Sequence, residues 1–384
     1  MNKKVLLLLA TTLTLSAAQA PITFERTFGG DEDDVAKAVI QTDDGYLIAG
    51  KTKSFTSHRD YDAYLIKIDK KGKKLWSKVY GGEEDDEANA LTAHGKEFVF
   101  VGSTESYGND NLSYYFVKID ANGESLWQKS YFRGERDYYY GNDIVSDGKN
   151  LVIAGSERHL KFMSAKINPL QFQIDTEGDL LWRSYVYGDD EDRAKAIVST
   201  QDGYMLAGST ESYGYGDFDA YLVKLDKEGK KVWFKTFGGK EDEIAEDIIA
   251  TKDGYLLVGS TDSFGLNYHN VYVIKTDKEG KKIWERTYGG TYDDEAFAVA
   301  TAPDGGYVIA GRTKTRRDGF DLLLLKIDEN GKRQWERTYG GDEDDAAHDI
   351  VATDDGYLIV GEKQSDVSRN SDVWLLKVDL KGKL

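Results

Sequence analysis

The sequence predicts an all-β, seven-bladed β-propeller with four-stranded antiparallel blades, and three observations carry that prediction. Tryptophans recur at Trp76, Trp127, Trp182, Trp233, Trp284 and Trp335, with gaps of 51, 55, 51, 51 and 51 residues. Each interval holds four short apolar segments separated by turn residues, the arithmetic of one propeller blade. Phe24 lies 52 residues before Trp76 and opens Phe24-Glu-Arg-Thr-Phe-Gly-Gly30, which matches Trp284-Glu-Arg-Thr-Tyr-Gly-Gly290. Phe24 therefore takes a tryptophan position and brings the count to seven. A length of 384 residues alone suggests two or three domains. The repeats replace that expectation with one domain over 21–384.

The elements of a unit follow in order. The first strand is small and alternating, as in Ala194-Lys-Ala-Ile-Val198. A turn such as Asp202-Gly203 or Asp253-Gly254 follows, a hairpin signal. The second strand ends on a recurring glycine, Gly50, Gly102, Gly155, Gly208, Gly259, Gly311 and Gly361. A glycine inside a strand marks a bulge or a close backbone approach. The third strand carries a lysine at Lys67, Lys118, Lys166, Lys224, Lys275, Lys326 and Lys377, read as an outer, solvated row. An Asp-x-x-Gly turn leads to the fourth strand, which carries the tryptophan and packs it between blades. Apolar spacing of two, with turns every 8 to 12 positions, excludes helix.

The last unit stops before a tryptophan strand, and Ile22–Phe28 supplies one. That strand is expected to complete blade seven and close the ring, which removes the open face of the repeat array. Residues 1–20 read as a secretory signal: Lys3 and Lys4 precede an apolar run, Val5–Leu15, too short to span a bilayer. Cleavage is expected after Ala18 or Ala20, which places the mature protein in the periplasm or outside the cell. The units resemble the repeats of secreted bacterial and archaeal β-propeller proteins, which carry Asp-Gly-Tyr, Ala-Gly-x-Thr, Lys-x-Asp-x-x-Gly and Trp. More loosely, Asp69-Lys-Lys-Gly72 before Trp76 is similar to the pyrroloquinoline-quinone-type propeller repeat, one residue shorter. The resemblance covers essentially the whole mature chain; it implies the fold and no activity.

Composition excludes several classes. There are 68 acidic and 50 basic side chains, a formal charge of −18, and no cysteine. A chain this acidic offers no basic stripe for nucleic acid or for an anionic membrane. Without cysteine there is no disulfide framework and no thiolate metal site. A monomer is expected.

Carboxylates cluster in the loop after each tryptophan strand, as in Asp31-Glu-Asp-Asp34, Glu83-Glu-Asp-Asp86 and Asp342-Glu-Asp-Asp345. Either one carboxylate per loop accepts backbone N–H groups and fixes the turn, or the loops bind calcium. The calcium candidates are Asp33, Asp34, Asp85, Asp86, Asp344 and Asp345; no loop follows the twelve-residue calcium pattern. No other cofactor is expected.

Positions that vary between matching units are the candidates for function. At the start of the innermost strand, by the channel mouth, stand Lys37, Asn89, Asn142, Lys195, Glu246, Phe297 and His348. The next position alternates between alanine and Asp143, Asp247 and Asp349. In the loops on the acidic rim, Tyr107, Tyr213, Tyr215, Phe264 and Tyr268 either pack locally or form a recognition surface. Unit three departs from the rest through Tyr138, Tyr139 and Tyr140 and an insertion read at Pro169–Gln173. There a partner is expected to dock off-centre.

No histidine pair has a metal-protease spacing and no G-x-S-x-G elbow occurs. The sequence therefore reads as a non-enzymatic binding or scaffolding propeller. Its acidic, tyrosine-rich rim would recognise an envelope protein or a glycan. The alternative is a polysaccharide hydrolase or lyase with its site at the channel mouth.

Overall fold

The computed structural model describes residues 20–384 except 109–110, 133–136, 162–163, 187, 266–267, 316–318 and 366. Residues 1–19, nearly all of the expected signal segment 1–20, and the run 133–136 of unit three lie outside the described residues. Twenty-eight strands form seven four-stranded antiparallel sheets. Blade 1 shows the pattern, with strands Asp34–Gln41, Gly45–Thr52, Asp62–Asp69 and Lys74–Tyr80 from the axis outward. Blades 2 to 6 span 86–131, 137–185, 192–237, 243–288 and 294–339. Blade 7 takes its first three strands from 345–379 and its outermost from Phe24–Phe28. Phe24 pairs with Lys377 as Trp76 pairs with Lys67, so Phe24 fills the tryptophan position and the ring closes as the repeats imply.

The core lies in the second and third strands of each blade, which are buried on both faces. Such strands read as near-continuous apolar runs, whereas the fourth strands are largely solvated. The apolar clusters cross blade seams: Leu47 and Leu65 of blade 1 pack with Phe100 and Tyr115 of blade 2. At the outer edge each tryptophan lies on the left-handed glycine of the next blade's Asp-x-x-Gly turn. A Cβ on Gly123 (φ 76°) would sit 2.8 Å from the Trp76 ring, and one on Gly72 (φ 80°) 2.8 Å from Phe24. Left-handed geometry and ring contact both require glycine there. The Tyr80 hydroxyl also donates to the Gly123 carbonyl at 2.6 Å.

The lysine row is not a solvated face. Lys67, Lys118, Lys224, Lys275, Lys326 and Lys377 are buried, each paired with an acidic residue on the turn between the first and second strands, as Lys275 is with Asp253 at 2.6 Å, or, for Lys118, with Glu97 at the start of the second strand. The long stem fills the blade seam while the ammonium reaches the turn. In blade 3 the register corrects the reading twice. Trp182 pairs with Gln173, so Gln173 and not Lys166 holds the lysine position. Its amide donates to Asp147 Oδ2 at 3.1 Å, as the lysines do to their turns. Pro169–Gln173 is thus strand and not insertion. Of the four extra residues, two fall between Trp127 and Asn142, 15 positions apart against 13 from Trp76 to Asn89. The other two lengthen the hairpin between Leu151–Lys161 and Ser164–Ile174, where Gly155 pairs with Leu170 as Gly102 pairs with Tyr115.

Candidate functional site

The seven channel-mouth candidates share one backbone feature. Each innermost strand slips register by one residue, between Ala36 and Ala38, Ala88 and Ala90, Gly141 and Asp143, Ala194 and Ala196, Ala245 and Asp247, Ala296 and Ala298, and Ala347 and Asp349. The residue left unpaired is Lys37, Asn89, Asn142, Lys195, Glu246, Phe297 or His348. A β-bulge re-aims its side chain, and here seven bulges aim seven side chains at one axis. The glycine of the second strand makes the bulge possible: a Cβ on Gly50 would sit 1.9 Å from the Val35 carbonyl oxygen.

These side chains hand over from blade to blade. The Asn89 amide donates to the Gly141 carbonyl (3.1 Å) and that of Asn142 to the Ala194 carbonyl (2.6 Å). Lys195 pairs with Glu246 at 2.9 Å, and the rings of Phe297 and His348 lie 6.0 Å apart. Burial, helped by the charges of Lys51 and Lys195, pulls the Lys37 ammonium below its ordinary value, against Glu362 and Glu87. Lys195 stands three blades from Lys37, so the two face each other across the ring. Burial and then Lys37 lower His348, which leaves it neutral at pH 7. Its Nε2 lies 3.2 Å from Glu362 Oε1, a hydrogen bond to a carboxylate. Burial works against ionising Glu362, but that bond and the charge of Lys37 hold it below the usual carboxylate range.

One residue further along the chain stand three aspartates on alternate blades. Each ties its blade to the next. Asp143 accepts from the N–H groups of Ile144 (2.7 Å) and Ile197 (2.8 Å). Asp247 accepts from Ile248 (2.6 Å) and Val299 (2.8 Å), and Asp349 from Ile350 and Val39, both at 2.7 Å. Burial pushes Asp143 up to about 7, Asp247 to about 6 and Asp349 to about 8. The charges of Asp143 and Asp247 add to the rise at Asp349, so the three carboxyls sense one another across the channel.

Sequence reading missed the second layer of this mouth. Lys51, Arg312 and Glu362 follow the strand-two glycine, where four other blades carry Ser103, Ser156, Ser209 and Ser260. Arg312 holds Glu295 Oε2 at 2.8 Å and lies 5.5 Å from the Phe297 ring centre. Variation after an otherwise repeated glycine was the available signal.

The rim candidates divide. Tyr107 stacks on Tyr115 at 5.7 Å and its hydroxyl donates to the Gly81 carbonyl at 2.5 Å. Phe264 packs on Tyr272, and Tyr213 on Phe234 while remaining 43% exposed. Tyr215 (81% exposed) and Tyr268 (52%) stand in solvent. In unit three Tyr138 and Tyr140 are half-buried, but Tyr139 is 1% exposed and belongs to the core. It packs on Tyr114 at 5.4 Å, so it offers no surface to a partner.

The acidic loops are built as turn locks. Asp34 accepts from the Gly30 N–H (2.9 Å), Asp86 from Gly82 (2.7 Å) and Asp345 from Gly341 (2.7 Å). The residue before each lock reaches the neighbouring loop: Asp33 accepts from the Ser371 N–H (2.9 Å), Asp85 from Tyr61 (2.7 Å) and Asp344 from Phe320 (2.9 Å). All six calcium candidates thus have main-chain work, and among the described residues none belongs to a cluster of metal-ligand geometry.

Fold and mouth together define a seven-bladed β-propeller with a charged, asymmetric axial site. No family model matches the sequence. Part of the chain is 26% identical to regulatory protein FlaEY of Caulobacter vibrioides, over 44% of this chain. The match covers 22% of that protein's length. Among solved structures, the periplasmic gluconolactonase PpgL of Pseudomonas aeruginosa superimposes with a TM-score of 0.54 at 12% identity, covering 91% of this chain and 97% of that one. Sqt1 from Chaetomium thermophilum gives 0.51 at 12% identity, covering 94% and 86%. At such identity these likenesses show the fold alone.

Proposed function

We propose that this protein is a binding propeller of the cell envelope that seats a protruding basic segment of a partner protein in the axial mouth. One observation carries the reading. The blades repeat almost everywhere, yet the seven residues aimed at the axis all differ in chemistry or setting. The same face bears the acidic loops, whose field draws cationic partners, and the exposed rings of Tyr213, Tyr215 and Tyr268. A glycan would need aromatic platforms at the mouth. Phe297 is the one aromatic bulge residue, and Arg312 and His348 already pack on it. A hydrolase would draw on Asp143, Asp247 and Asp349, but both oxygens of each already accept main-chain N–H groups.

The test is retention of an envelope protein by the immobilised mature chain, run beside the double variant Lys195→Glu, Glu246→Lys. The exchange keeps the ion pair and the net charge while reversing the pattern at the axis. A protein held by the wild type and released by the exchange supports the reading. A protein held equally by both, or none held by either, counts against it.

A further inference from the structure

Blade 3 breaks the rule that the other blades keep at the loop face. Elsewhere the first strand begins with a carboxylate opposite a threonine: Asp34 and Thr52, Asp86 and Thr104, Asp192 and Thr210, Glu243 and Thr261, Asp294 and Thr313. In blade 7 the pair is Asp345 and Lys363. In blade 3 it is Tyr139 and Glu157, so the carboxylate has moved to the second strand. There it is no turn lock. The Glu157 side chain is 1% exposed, and neither of its oxygens has a hydrogen-bond partner. An ionised carboxylate buried this way is costly unless something compensates it.

The ladder of blade 3 also continues two pairs beyond the level where the others stop. It adds Tyr138 opposite Arg158 and Asp137 opposite His159. Glu157 and His159, two apart on one strand, share a face with Asp137. The imidazole lies between the carboxylates, Nδ1 3.0 Å from Asp137 Oδ1 and Nε2 3.4 Å from Glu157 Oε2. A neutral imidazole has one N–H, so it can satisfy only one of them. One ligand atom from each of the three residues falls within 4.8 Å of the others.

We propose that Asp137, Glu157 and His159 form a site for a divalent transition-metal ion, with zinc as the type. Two carboxylates and an imidazole suit zinc and manganese better than calcium, which prefers six or more oxygens. The ion supplies the positive charge that the buried Glu157 lacks and replaces a proton on His159. Three protein ligands leave a coordination position for water or for a ligand group. The site lies at the loop-face end of the first two strands of blade 3, beyond the unpaired Asn142, and the proposal is independent of the binding role at the mouth.

The test is equilibrium dialysis of the mature chain, stripped with EDTA, against Zn²⁺, with bound metal counted by mass spectrometry. Wild type, Glu157→Gln, His159→Gln and the rim variant Asp33→Asn/Asp85→Asn are compared. One tightly held ion per chain is expected, weakened at least tenfold by either ligand substitution and unchanged in the rim variant. A thermal melt in EDTA separates misfolding from lost ligation. Glu157→Gln, which removes a buried charge, is expected to melt no lower than wild type, and only the wild type and the rim variant, which keep all three ligands, should gain on adding Zn²⁺. Binding equal in wild type and Glu157→Gln, or no ion retained by a folded wild type, overturns the site.

Discussion

Replacing Asp349 by asparagine should make stability cross over with pH. Burial raises the carboxyl to about 8 in the fold, against an ordinary value of 3.8. Below pH 3.8 both folded and unfolded chains hold the proton. Between the two values the unfolded chain releases it and the folded chain keeps it. Stability is therefore fully present at low pH and is lost as pH rises toward 8. The slope is about 1.36 kcal/mol per pH unit for one group. The interval from pH 5 to pH 7 lies inside the window, so Asp349 accounts for a loss of about 2 to 3 kcal/mol. Asparagine does not titrate, but its amide cannot accept both the Val39 and the Ile350 N–H, which costs about 1 to 2 kcal/mol at every pH. Asp349→Asn should be the less stable protein at pH 5 and equal or better at pH 7. Urea midpoints at pH 5, 6 and 7 measure this. Parallel pH profiles for the two proteins would refute a buried, proton-holding carboxyl at the axis.

Other outcomes follow from the blade architecture. Lys275 is 3% exposed and its three N–H bonds reach Thr251 Oγ1, Asp253 Oδ1 and the Thr276 carbonyl. Asp253→Ala, which strands that ammonium, should cost about 2 to 3 kcal/mol, and Lys275→Met clearly less, by chemical denaturation. Gly123→Ala should destabilise more than Gly95→Ala: both are left-handed, but a Cβ strikes the Trp76 ring only at the former and meets nothing within 4 Å at the latter. Phe24→Ala should cost about 3 to 5 kcal/mol, because Phe24 is 6% exposed and anchors the strand that closes blade 7; a loss below about 1 kcal/mol would mean the ring holds without that strand.

Fold and closure were legible because each blade faces the same packing problem and solves it with the same residues. Tryptophans spaced by 51 residues, or 55 across unit three, and Phe24 at the matching position are signals in the spacing alone. The bulge ring was legible for the same reason inverted: Lys37, Asn89, Glu246 and His348 vary directly after a position that is alanine in six units and glycine in the third. The burial of the lysine row was not, because an alternating strand with one charge reads equally as a solvated face. Only the pairing of Lys67 with Asp44, 23 residues earlier, reverses that reading. Blade 3 was mis-registered for a related reason. A lysine at Lys166 imitates the repeat, whereas the true occupant, Gln173, does the same hydrogen bonding without the charge. Tyr139 read as a surface tyrosine because its burial depends on Phe172 and Tyr114, which are distant in sequence.

The central claim is that recognition happens at the axis of the loop face. Photocrosslinking tests it most directly, with p-benzoylphenylalanine placed at Phe297 in the mouth, at Tyr215 on the rim, or at Val232, 58% exposed on an outer strand. Exposed to envelope extract, the chain labelled at 297 should give one dominant protein adduct. The label at 215 should give the same adduct more weakly, and the label at 232 none. An adduct formed from 232 but not from 297 would contradict the account and move the binding surface to the outside of the ring.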